Sequence, residues 1–442
     1  MLTAFKEKIN KTNFLNLLIA FIPASFIAGN TIINLNIILL ILSVFYFYGK
    51  EVFKINYLLL DKILIGFFLL ILFTGALNDI SFIIKEAWMP KFYTIMKSIA
   101  YVRYLILYIV LRFLVSKNIL NFKFFFITCS FFSLFVALDI FIQFTFGKDI
   151  FGFTSTNLQY AGGRHFSGPF GDEFIAGGYM QRFSIFSFFI LPFFFKERSK
   201  KYLYFLIPIL FFIFLMAIII SGNRMPVILY IFCLSLVVIF QKQTRKFFFP
   251  LLISFIVIFF IIFNTNSIVK TNFKNFYDQI AQSSTVILNQ DLKAENVPPY
   301  LKEFVSFYDT WRLNKYIGGG IKTFRYYCHL RENIEKKSKF VCNMHPHNYY
   351  LEILTETGII GFLLISIIFF QALYMSFVKK YFSNSKLKDN HIIVPFLFLF
   401  ITEIFPLKST GSFFTTGNAT YFFLVFALTI ALSERYKLIE KK

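Results

Sequence analysis

The stretch NMHPHNYYLEILTETGIIGFLL, Asn343 to Leu364, sets two histidines, an asparagine and two glutamates directly ahead of a run that only hydrocarbon would welcome. Pro346 ends an extended approach and Asn348 carries the side chain to cap a helix, which then runs through YYLEILTETG into an apolar segment. On that helix His347 and Leu351 share one face, while Glu352 and Glu356, four residues apart, share another. The stretch reads as the polar mouth of a membrane-spanning helix.

The rest of the chain supports this reading. Its 442 residues are 57% hydrophobic, 21% aromatic and only 15% charged, whereas soluble domains keep about 25% charged residues. Mean hydropathy is +0.66, and phenylalanine occurs 68 times. The expected fold is an all-α polytopic integral membrane protein. Apolar runs fall at 14–29, 32–48, 63–78, 98–115, 124–146, 175–195, 202–220, 225–241, 247–263, 357–377, 391–407 and 418–433. That predicts about twelve helices, each near the ~20 residues that cross a bilayer.

The net charge of +22 could suggest nucleic acid, but its placement argues otherwise. More than half of the 45 Lys and Arg fall on alternate short connections: Lys6 to Lys11, Lys50 to Lys62, Arg112 to Lys123, Lys196 to Lys201, Lys242 to Lys246, Lys379 to Lys388 and Arg435 to Lys442. The opposite short loops hold few, such as Lys148, Arg164 and Lys408. This is the positive-inside pattern, with both termini cytoplasmic, and no nucleic-acid partner is expected. The first apolar run follows Lys6, Lys8 and Lys11 and contains PASFIAG, which resembles a signal peptide. A second span follows almost at once, which favours a retained helical hairpin.

One segment breaks the pattern. Residues 264–346 are long and polar, contain a Pro-Pro break, and lie on the outer side by helix counting. The expected organisation is a membrane domain over 1–263 with nine helices, an extracytoplasmic loop subdomain over 264–346, and a second membrane portion over 347–442 with three. Cys129 and Cys233 fall inside spans and read as small apolar filler. Cys328 and Cys342 lie together in the outer loop, where an oxidising compartment would join them.

Other polar groups gather on the same side. AIIISGNRMPVILY puts Arg224 at an outer turn; AGGRHFSGPFGDEFIAGG carries Arg164, His165, Asp172 and Glu173; GGYMQRFSIF places Arg182 inside the sixth run. A charge within a membrane helix is costly and marks function by default, although Arg182 could instead pair with an intramembrane acid such as Asp139. Arginine forks match phosphate oxygens and stay charged when desolvated. Histidine can take a proton from a sugar hydroxyl near neutral pH. Together they suit transfer of a glycan from a lipid-linked pyrophosphate, the arginines stabilising the departing charge. No His/Cys/Asp grouping with zinc spacing and no glycine-rich nucleotide loop is present, so neither a metal nor another cofactor is expected.

At these residues the chain resembles the O-antigen ligase/polymerase superfamily of bacterial envelope proteins. Nine residues separate His347-Asn348 from GIIG (Gly358 to Gly361), as in the family's His-Asn signature. SGNR with Arg224 resembles its Ser-Arg turn, with Asn where Ser is common. GGGIKTF, Gly318 to Phe324, resembles its glycine-rich loop, and RHFSGPFGDE its Arg-x-x-Gly-x-Phe segment with Arg164. The resemblance implies about a dozen helices with one large periplasmic loop, and a metal-independent glycosyltransferase of the bacterial inner membrane working at the periplasmic face. Its partners would be membrane lipid, a polyprenyl-pyrophosphate-linked glycan donor, and lipid A-core or another glycan acceptor. Arg224 would face the pyrophosphate, and His347 would act as base or acceptor-positioning group. Arg164, Arg182, His345, Asn348 and Gly320 would contact substrate. Ligation to lipid A-core is the expected reaction; polymerisation of repeat units and glycan transfer to protein share the scaffold. A lipid-linked-glycan flippase is the alternative of a different class, but the paired halves with broken helices typical of transporters are not seen.

Overall fold

The computed structural model describes residues 2–84, 89–154, 156–158, 163–194, 202–265, 267–288, 299–331, 342, 345–379, 392–409 and 411–435. The protein is an all-α polytopic membrane protein. Its helices are, in chain order, α1 (Leu2–Ala20), α2 (Ile22–Ala28), α3 (Asn30–Tyr48), α4 (Leu59–Ile84), α5 (Tyr93–Tyr101), α6 (Arg103–Ser116), α7 (Phe122–Phe146), α8 (Ala176–Phe183), α9 (Phe186–Phe194), α10 (Leu203–Ile220), α11 (Arg224–Phe240), α12 (Lys242–Thr265), α13 (Ser267–Leu288), α14 (Pro299–Trp311), α15 (Phe324–Tyr327), α16 (Tyr349–Leu373), α17 (Ile393–Glu403) and α18 (Thr416–Arg435). A small antiparallel hairpin, β1 (Thr156–Leu158) on β2 (Gly163–His165), is the described sheet.

Each of the twelve apolar runs falls on helix, but not each on one full span. Among the described residues, eight segments are alone long and apolar enough to cross a membrane. A ninth arises if α1 and α2, bent by 42°, count as one. The runs at 225–241 and 391–407 fold as the shorter α11 and α17, and the run at 175–195 is broken between α8 and α9. Hydropathy locates apolar backbone, whereas breaks and lengths follow from polar side chains such as Gln181 and Arg182 that must face inward.

Helix α18 packs along α6 and α17, and α16 along α4. Of the eight spans, that of α18 is the most enclosed and that of α12 the most exposed to lipid. Phenylalanine serves both surroundings. Phe396 packs on Phe125, Phe126 and Phe186 in the core, while Phe205 and Phe370 face outward. In lipid, apolar surface does not by itself drive helices together, so ring packing and polar contacts specify their arrangement.

Arg112 shows this and corrects its reading as a loop charge. It lies within α6, buried, and pairs with Asp61 of α4 and with Glu434 of α18 at 2.7 Å, while also donating to the Asn56 carbonyl at 2.9 Å. Tyr108 donates to the same Asp61 at 2.6 Å. Three helices are tied together by one cation whose fork matches two carboxylates.

Candidate functional site

The approach to α16 is anchored first by covalent chemistry. Cys328 and Cys342 form a disulfide with Cα atoms 5.6 Å apart. Beside it Phe307 of α14 stacks on Phe324, and Arg331 donates to the Cys328 carbonyl at 2.8 Å. In the chain-entropy picture a bridge of this span stabilises by about 3 kcal/mol. Non-reducing peptide mapping should recover 328 and 342 on one crosslinked peptide; two free thiols there would remove this anchor.

Three residues beyond the bridge, the rings of His345 and His347 meet edge to face at 4.5 Å between centroids. His347 has φ +49°, a left-handed conformation uncommon outside glycine, and such strain concentrates at functional sites. Asn348 caps α16 as the sequence predicts, accepting from Tyr350 N–H at 3.0 Å and Leu351 N–H at 3.2 Å. Its amide nitrogen donates to the Pro406 carbonyl at 2.8 Å, so the Asn348 side chain is occupied in holding the helix start.

The glycine loop is built into this helix. At Gly358 (φ +66°) α16 kinks, and the two bonds that Ile359 and Ile360 would make to Thr355 and Glu356 are open. Residues 315–320 fill the gap. Ile359 N–H donates to the Lys315 carbonyl (2.9 Å) and Ile360 N–H to that of Tyr316 (3.2 Å). Gly319 and Gly320 N–H donate to the freed carbonyls of Thr355 (3.2 Å) and Glu356 (2.8 Å). All four backbone groups are satisfied, as burial demands. The approach is too close for side chains: a Cβ on Gly318 would strike the Glu356 backbone, and one on Gly358 the Tyr316 carbonyl. Gly320 packs against Thr94 and gives its N–H to this junction.

Lys322, at the end of that loop, donates to Ser412 Oγ at 2.9 Å. Ser412 Oγ and Phe413 N–H in turn donate to the buried Glu352 carboxylate, each at 2.5 Å. Glu352 therefore ties α16 to the segment before α18. Burial, together with the charges of His347 and Lys322, pushes His345 down to about 4. Its ring is neutral at pH 7. A base lowered from 6.5 binds fewer protons folded than unfolded, so its stabilising contribution is present above pH 6.5 and lost as pH falls toward 4. The stability gap between wild type and His345→Gln should therefore change across pH 4 to 6.5; a pH-independent gap would contradict this.

A second polar group lies on the other side of Tyr349. Glu403, at the end of α17, accepts from Arg182 (2.9 Å), Lys408 (2.5 Å) and Tyr349 OH (2.7 Å). Arg182 also donates to Asn418 Oδ1 at 2.7 Å and lies over the Tyr421 ring. Asn418 donates to the Ser412 carbonyl at 2.9 Å, joining this hub to the Glu352 network. Burial outweighs the pull of Glu403 and pushes Lys408 down to about 7. The acid paired with Arg182 is thus Glu403; Asp139 instead accepts from Ile150 N–H at 2.8 Å. Glu403 and Lys408 are the residues that sequence reasoning missed, although an acid inside IVPFLFLFITE is itself a signal of function or pairing.

Arg224 stands at the first position of α11. The preceding turn packs on α8, where Gly177 lies against Ser221, Asn223 and Pro226. Arg182 is five residues further along α8, about 7.5 Å of helix rise. Helix α8 thus connects the Arg224 turn to the Glu403 hub. Arg224 also acts electrostatically on His165, which burial and that charge hold below the usual histidine range. Arg164 lies on β2 opposite Asn157; its side chain falls outside the described residues, as do the connections at 195–201 and 380–391 that carry much of the expected cytoplasmic charge.

The arrangement sets a histidine pair, His347 of it in a left-handed conformation, at the mouth of a spanning helix that also carries a buried network of carboxylates and cations. Among the described residues, no group of three or more His, Cys, Asp or Glu could hold a metal ion. No curated protein matches the chain. Residues 209–366 match the family model described as O-Antigen ligase. The match runs from α10 through the kink of α16 and takes in Arg224, the inserted glycine loop and both histidines. Over that segment, about a third of its length, the chain is similar to the O-antigen ligase family.

Proposed function

We propose that the protein is an O-antigen ligase-type glycosyltransferase that moves glycan from a polyprenyl-pyrophosphate donor to lipid A-core. The observation that carries this reading is the His345–His347 pair at the start of α16, within the matched segment and with His347 held in a left-handed conformation. The site lies at the periplasmic face of the bacterial inner membrane, and residues 264–346 form the subdomain that completes it. The positive-inside pattern of the short connections supports this orientation.

The reaction joins an acceptor hydroxyl oxygen to the anomeric carbon of the donor glycan and breaks that carbon's bond to pyrophosphate. His347 takes the hydroxyl proton, and the neutral ring of His345 beside it adds no opposing positive charge. The leaving group departs as the polyprenyl pyrophosphate, its charge stabilised by Arg224 and the start of α11. Arg182, already paired with Glu403 and Asn418, supports the site from behind. Arg164 lies on β2, next to His165, and is assigned to the glycan.

The test uses purified protein with lipid-linked glycan and lipid A-core, resolving products by gel. His347→Ala should lower transfer by about 10²–10⁴-fold, the range for loss of a general base. Arg224→Ala should lower it by at least about 10²-fold. Chain-length ladders remaining on the polyprenyl lipid would make the enzyme a polymerase instead. Full transfer by both variants would overturn the site.

A further inference from the structure

His165 is used by nothing in that mechanism, yet it is placed as a ligand would be. It ends β2, with its ring against Phe174 and 8% of its surface exposed. One ring nitrogen is engaged with the backbone of Ser221, two residues before the cap of α11. The other, Nδ1, is buried with no hydrogen-bond partner. A polar atom left so inside a protein costs on the order of 1–3 kcal/mol, so its position calls for an occupant.

The surroundings indicate which. Asn223, the cap residue of α11, turns its amide to the Phe174 carbonyl at 2.7 Å and makes no side-chain cap. The Asn223 side chain thus does not cap this seventeen-residue helix, whose positive start beside Arg224 favours an anion. Among the described groups around the ring, Arg224 of α11 is the charge that acts on it, and the Ser221 backbone opposes that effect. Asp172 and Glu173, the next carboxylates along the chain, are exposed. An imidazole here is neutral while the site is empty. An arriving dianion would reverse the local field and favour the imidazolium.

We infer that His165 is a proton-gated phosphate ligand: when the pyrophosphate of the lipid-linked donor settles at the start of α11, Nδ1 takes one proton from solvent and donates it in a hydrogen bond to a phosphate oxygen. This rests on the donor site proposed at Arg224. No covalent bond changes; the complex gains one proton and one charge-assisted hydrogen bond.

The experiment uses the full-length protein in nanodiscs and P1,P2-dimethyl pyrophosphate, a soluble diester with two fixed negative charges and no titration of its own near neutrality. Calorimetric titrations run in buffers of different ionisation enthalpy. Wild type should show net proton uptake on binding, with affinity rising as pH falls, by up to about tenfold per unit where uptake is complete. His165→Asn and His165→Gln should bind about tenfold more weakly, with no buffer dependence. Buffer-independent heats in wild type, or unaltered linkage in both variants, would overturn the role of His165. If that occurs while Arg224→Ala abolishes binding, the donor site itself stands. If wild type does not bind the diester at all, the donor site and the role of His165 fall together.

Discussion

Glu403→Ala is expected to yield little folded protein. The carboxylate faces Arg182 and Lys408 and accepts from Tyr349, with Lys408 and Tyr349 buried and Arg182 partly so between α8, α16, α17 and the segment leading to α18. Its removal strands the Arg182 cation without water to solvate it, and leaves Lys408, already held near 7, to give up its proton. Breaking a buried pair from one side costs about 3–5 kcal/mol, much of a typical margin of stability. Glu403→Gln keeps the shape and an acceptor but not the charge, and should fall between. Removing the excess charge as well, in Glu403→Gln with Lys408→Met, should recover part of the loss. Thermal unfolding in detergent with size-exclusion profiles reads the series. A Glu403→Ala variant as monodisperse and stable as wild type would mean the hub carries no energy.

Gly358→Ala is the second large effect. The added methyl would meet the Tyr316 carbonyl, and φ +66° is a backbone conformation that L side chains rarely adopt. Relief requires the loop to withdraw, giving up four backbone hydrogen bonds that contribute about 0.5–1.5 kcal/mol each. A side chain in this positive-φ, extended conformation adds about 1–3 kcal/mol of strain. Transfer activity should vanish together with a marked fall in unfolding temperature. Gly66→Ala on α4 is the control, because its added methyl meets nothing within 4 Å. Equal behaviour of the two variants would refute the inserted-loop account.

How far the sequence reveals the protein depends on the range of the interaction. Periodic and local features are legible: the apolar runs, and the cap at Asn348, whose side-chain oxygen accepts from residues two and three ahead. The resemblance identified GGGIKTF and GIIG separately. That one enters the backbone ladder of the other is invisible in either, because the pairing joins groups about forty residues apart. Arg112 and Arg182 were visible as charges, but their partners were not. Glu434 is more than 300 residues from Arg112, and Glu403 more than 200 from Arg182, so no spacing rule connects them. The arrangement of the Arg224 turn against His165 is of the same kind, depending on where β2 and α11 meet rather than on either motif alone.

The Glu403 hub also bears on how such a chain can change over generations. Outward phenylalanines such as Phe205 and Phe249 turn most or half of their surface to lipid tails, which accept leucine or isoleucine as readily. Their positions are free to drift singly. Arg182, Glu403, Lys408 and Asn418 are bound to one another, so a change at one is tolerated only with a matching change at another. Related sequences should therefore diverge fast over the lipid face and move in linked steps around this hub.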